Sequence, residues 1–121
     1  MSFDITNTDE CIILEFSKGM DFWEIMEGIP KLCSMPEFKD KSDIWVFRDG
    51  QLIILYSDLY DLKNAAEKFY PKVSEGKKTA IVTVTGIQHS LATLYSDIAK
   101  DLPRKIRVFS DLKSAEDWVT T

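Results

Sequence analysis

Three times between Ile44 and the C-terminus, a short run of β-branched and aromatic residues gives way to apolar residues spaced three and four apart. IWVF precedes a stripe of Leu59, Leu62, Ala66 and Phe69, which Tyr70-Pro71 closes. TAIVTV, broken by Gly86, precedes Ile87, Leu91, Leu94, Tyr95, Ile98 and Leu102, where Pro103 stops the pattern. The last strand, Ile106 to Phe109, precedes Leu112, Ala115, Trp118 and Val119. A β run that repeatedly hands over to a 3.6-residue period predicts strand-helix units. Their crossovers place the strands parallel, with helices covering the sheet.

The front of the chain differs. Phe3 and Ile5 alternate with polar residues, Asn7-Thr8-Asp9 supplies turn chemistry, and CIILEF follows, which predicts a hairpin and makes the sheet mixed. A first helix follows, with Asp21 and Glu24 spaced as a capping box and Phe22, Ile25, Met26 and Ile29 as its stripe. Gly28 and Pro30 are expected to end or kink it, with a less regular turn continuing to about Phe38 and weak packing as the consequence. After IWVF come an RDG turn and a second apolar run, QLIILY, before Ser57 and Asp58 offer caps for the second helix. The predicted fold is α/β, five strands and four principal helices in the order β-β-α-β-α-β-α-β-α.

At 121 residues, with 45% hydrophobic and 29% charged residues, the chain is the size of one ordinary domain able to bury its own core. Twenty acidic against 15 basic side chains give a net charge of -5, which disfavours a nucleic-acid partner. Cys11 and Cys33 lie in apolar surroundings without metal-ligand spacing and read as reduced core thiols. The acidic N-terminal stretch lacks the basic and apolar regions of a signal peptide, and no apolar run approaches a membrane span, so the expected compartment is cytoplasmic.

The C-terminal third, TAIVTV, IQHSLATLYSDIA and KIRVFSDLKSAEDWV, resembles the STAS-like family, in particular its SpoIIAA-like group related to sporulation anti-sigma factor antagonists. The resemblance covers nearly the whole chain. It implies a regulatory or binding domain that docks onto a partner protein, with Trp118 as a core anchor. It also places Ser57 near the serine that some members phosphorylate at the start of a helix. Here the family's Asp-Ser-Ser/Thr-Gly motif reads Leu55-Tyr56-Ser57-Asp58, without the leading Asp, one hydroxyl and the Gly.

Ser57 thus has two readings, phosphoacceptor and helix cap, and Asp58 and Asp61 oppose an added negative charge. His89 has no nucleophile or carboxylate in a catalytic pattern around GIQHSLATL and reads as a solvent-facing or capping histidine. With one His and two separated Cys, no chelating cluster is legible, and no glycine-rich phosphate loop occurs; Gly86 reads as a tight strand-helix turn. Trp23 stands about a hundred degrees round from Phe22, at the border of the first helix's stripe. It either covers the sheet edge or, with Phe22 and Met26, meets a ligand, lipid or protein surface if that helix moves. The expected function is a non-enzymatic regulatory or binding module without cofactor, acting through an unidentified protein partner and open to homodimerisation. The alternatives are a carrier of small apolar ligands or lipids with transient membrane contact, and an enzyme of unassigned class.

Overall fold

The computed structural model describes residues 3–16, 22–48, 54–69 and 76–121, with the Phe69 side chain outside the description. Asp21, the Asp49-Gly50 turn, the start of QLIILY and the Tyr70-Pro71 helix end also lie outside it. Five strands, β1 (Phe3–Asn7), β2 (Cys11–Phe16), β3 (Ser42–Phe47), β4 (Lys78–Val82) and β5 (Lys105–Phe109), form one sheet in sequence order. β1 pairs antiparallel with β2, and the remaining neighbours are parallel. The helices are α1 (Phe22–Cys33), α2 (Tyr56–Phe69), α3 (Gly86–Ile98) and α4 (Leu112–Val119), with a 3-10 turn over Pro36–Asp40.

Side-chain alternation along the strands divides the interior in two. Ile12, Leu14, Phe16, Trp45, Phe47 and Ile81 point to a layer built with α1, α2 and α3, and Phe16 stacks on Phe47 with ring centroids 5.1 Å apart. Cys11, Ile44, Val46, Ala80 and Val82 point the other way and are covered by α4 through Ala115 and Val119. β3 is buried along its whole length because both faces are covered.

The predicted order of elements is found, with corrections inside three of them. α1 runs through Pro30 to Cys33 instead of ending near it. Ile25, Ile29 and Leu32 are buried on both sides of the proline, so packing carries the helix across the missing backbone donor. Gly28 serves close approach: a Cβ there would stand 3.1 Å from the Phe16 ring. α1 also buries more residues than α4, four against two, which contradicts the expectation of the weakest packing for the first helix. α3 is turned somewhat relative to the predicted stripe: Tyr95 is buried as expected, with Leu91 and Ile98 packed against the core, but Ile87 and Leu94 are exposed and Gln88 and Ala92 are buried instead. Finally, Trp118 is half-buried, its ring 5.6 Å from Phe109 and under the Lys78 ammonium at 5.2 Å, and so is no fully buried anchor.

Candidate functional site

The start of α2 combines polar local structure with exposed apolar groups. Its first turn is closed by Asp58, whose carboxylate accepts from the Leu55 N–H at 2.7 Å while its own N–H donates to the Leu55 carbonyl at 2.9 Å. Ser57 therefore falls inside the first turn, exposed, and Asp58 makes the closing contact in its stead. Tyr56 and Tyr60, one turn apart, meet edge-on with centroids 5.7 Å apart and hydroxyls at 3.4 Å. That hydrogen bond raises the Tyr56 phenol, and the Asp97 carboxylate adds to the shift from α3. Leu94 lies one turn before Asp97 on the same helix. Leu55, Tyr56 and Tyr60 are exposed large side chains at the start of α2, and Leu94 is exposed on the neighbouring α3. Their spacing was legible in the sequence as two tyrosines four apart and off the Leu59-Leu62-Ala66 stripe.

The three side chains expected at the first helix separate. Phe22 and Met26 pack partly against the core, whereas Trp23 is 74% exposed, its ring edge-on to Phe22 at 5.1 Å. Trp23 is thus too exposed to serve as packing over the sheet edge, and its ring is accessible for a surface contact.

A second neighbourhood opens at the carboxyl ends of β4 and β5. There α3 departs to one face of the sheet and α4 to the other, the arrangement at which open α/β sheets form crevices. Thr83, Thr85, Gly86, His89, Ser90 and Ser110 line an open groove of about 730 Å³. Thr85 caps α3 by accepting from the Gln88 N–H at 3.2 Å, and the Gln88 side chain accepts from the Val84 N–H at 3.0 Å. Thr85 and Gln88 stand at capping-box spacing in TGIQ, with the Gln88 oxygen reaching the N–H one residue before the cap. The exposed His89 has Nδ1 3.4 Å from the Thr83 hydroxyl. Gly86 has a negative φ and open space where a Cβ would stand, so neither backbone strain nor crowding requires glycine there.

At the opposite, amino end of the strands, Asp43 and Arg104 form a fully buried pair that periodicity could not reveal. Asp43 Oδ1 accepts from Arg104 Nη1 at 2.9 Å and from the Thr79 hydroxyl at 2.6 Å, and Oδ2 accepts from the Trp45 indole at 2.8 Å. Arg104 also donates to the carbonyls of Lys41 and Phe38 and lies over the Phe38 ring. Burial pushes the Asp43 carboxyl up, against the pull of Arg104 and the two neutral donors. The contacts of the pair join β3, β4, the 3-10 turn and the start of β5. Such a network anchors structure.

Burial holds the Cys33 thiol up at about 12 and raises Cys11 as well, and neither forms a disulfide. Among the described residues there is no cluster of three His, Cys, Asp or Glu arranged for a metal, and no helix long and apolar enough to cross a membrane. No family model, curated protein or solved structure matches this chain.

Proposed function

We propose that this chain is a non-enzymatic regulatory or binding module of STAS-like type that docks a partner protein on the patch shared by α2 and α3. The observation that carries the reading is the exposure of Leu55, Tyr56 and Tyr60 around the first turn of α2, with Leu94 exposed on the neighbouring α3. Tyrosines that present a broad ring with a polar tip are characteristic anchors of protein interfaces. The antiparallel hairpin leading into parallel strand-helix units is compatible with the family resemblance. Ser57 lies between the two tyrosines in sequence, so a phosphate there would place new charge at the docking surface. The positive helix start would favour that charge, and Asp58 and Asp61 would oppose it. The net charge of -5 disfavours a nucleic-acid partner.

A photo-cross-linking amino acid placed at Tyr60 should capture a discrete partner from the native cell, or a second copy of the chain. The same group placed at Lys113, on α4, should not. Equal or absent capture at both positions would overturn the reading.

The second reading, contact with lipid or another apolar ligand, is favoured by Trp23. The apolar cavity between α1, α2, α3 and the sheet, lined by Trp45, Leu62 and Ile81 among others, is only about 30 Å³. That is room for about one or two waters, far below the few hundred Å³ of an ordinary ligand site. Lipid contact would therefore be superficial, and vesicles should blue-shift the native fluorescence while leaving that of Trp23→Phe unmoved. A native spectrum indifferent to vesicles of any charge would dismiss this alternative.

A further inference from the structure

β5 is where the sheet stops. Among the described residues it has no neighbour on its outer side, and no residue along it is fully buried. The Lys105 N–H donates to the Lys77 carbonyl and the Phe109 carbonyl accepts from Thr83, so these odd-numbered positions face β4. The alternation of backbone groups along a strand then turns the N–H and C=O of Ile106 and Val108 toward the free edge. An unpaired row of this kind is a template for another strand.

The edge lies in an open groove of about 510 Å³, with α3 on one wall and Trp118 of α4 on the other. Although the chain is acidic overall, the groove presents Lys100, Lys105 and Arg107 against the single carboxylate of Asp97. Arg104 also lines it but is committed to Asp43. A second copy brought edge to edge would set Lys105 and Arg107 against the same cations, which disfavours self-pairing. The complementary occupant is acidic.

We propose that the free edge of β5 takes an extended acidic segment of another protein as a sixth strand. Backbone hydrogen bonds to Ile106 and Val108 would supply the pairing. Carboxylates at alternate positions would lie beside Lys105 and Arg107, on the Trp118 side, and apolar side chains beside Ile106 and Val108. The proposal uses neither Tyr56 nor Tyr60 and is tested independently of them.

The probes are two synthetic peptides, one alternating glutamate and valine and one alternating lysine and valine, titrated into the isotopically labelled protein at low salt. The glutamate peptide should bind and slow amide exchange at Ile106 and Val108, and the lysine peptide should not bind. Lys105→Glu combined with Arg107→Glu should weaken the glutamate peptide about tenfold or more. The same reversal should create binding of the lysine peptide, an exchange of preference that misfolding cannot produce. Lys31→Glu, on α1 beside the Phe3 ring of β1 at the other side of the sheet, should leave binding unchanged. Indifference to peptide charge, protection elsewhere than β5, or a reversed edge that takes neither peptide would overturn the proposal.

Discussion

At the scale of single residues, the Asp43-Arg104 pair is the clearest case of a contact whose two halves are not equivalent. Removing either charge leaves its partner in a buried site, at a cost of about 3–5 kcal/mol when that partner stays ionised. A guanidinium cannot shed its proton, whereas a carboxyl can take one up. Asp43→Asn should therefore carry the full penalty at every pH from 5 to 8. Arg104→Met should lose less, and its loss should shrink as pH falls. With the guanidinium gone, the folded-state Asp43 pKa rises further above its unfolded value. The folded variant then binds the proton more readily, so its stability is greatest at low pH and declines as pH rises through the folded pKa. Urea unfolding of both variants at pH 5 and pH 8 checks this, and a flat pH response from Arg104→Met would count against it. Nothing in SDIWVF marked Asp43 as buried, because an acidic residue at a strand start is ordinarily solvated, and its partner stands 61 positions away.

At the scale of elements, α1 makes opposite predictions for two neighbouring positions. Gly28→Ala improves helix propensity but drives a methyl against Phe16, and should destabilise by about 1–3 kcal/mol. Pro30→Ala restores a backbone donor inside a helix that already runs through the site, and should stabilise by about 1–3 kcal/mol. Thermal unfolding should move in opposite directions for the two. In α4, Trp118 is half-buried, so Trp118→Ala should cost about 1–2 kcal/mol, below the range for a fully buried aromatic, as read by denaturation midpoint. The α4 cap has its own pH response. Hydrogen bonds from the Ser114 N–H and hydroxyl hold the Asp111 carboxyl below its ordinary value. Its contribution is present above the unfolded value and disappears as pH falls through the folded one.

For the whole molecule, unequal layers imply unequal stability. Three helices cover one face of the sheet and a single eight-residue helix covers the other, tied at its end by Lys78, which donates to the Trp118 and Thr121 carbonyls at 2.9 and 3.1 Å. Native-state hydrogen exchange should therefore find α4 opening at lower free energy than α1, with the smaller apolar layer opening alongside it. Earlier exchange from α1 would restore the expectation of a loose first helix that Gly28 and Pro30 had suggested.

The change of apolar period along the chain was sufficient to determine element order and a mixed, largely parallel sheet, since both follow from which positions must be buried locally. Hairpin and strand runs were legible for that reason. The rotation of α3 was not. Tyr95 belongs to both the predicted and the observed face, but Ile87 and Leu94 fit a helical stripe as well as Gln88 and Ala92 do, and only the cap contacts of Thr85 and Gln88 together with packing against α2 and the sheet select the buried face. The persistence of α1 past Pro30 likewise depends on contacts with β2 that no local propensity contains. The resemblance directed attention to Ser57, but the tertiary structure decided its surroundings, bringing α3 with the field of Asp97 toward Tyr56. The strand run around Arg107 predicted β5, yet whether its outer edge is covered or open depends on what the rest of the chain places there. A single strand's sequence cannot specify that, because backbone hydrogen-bonding groups are the same in every residue but proline.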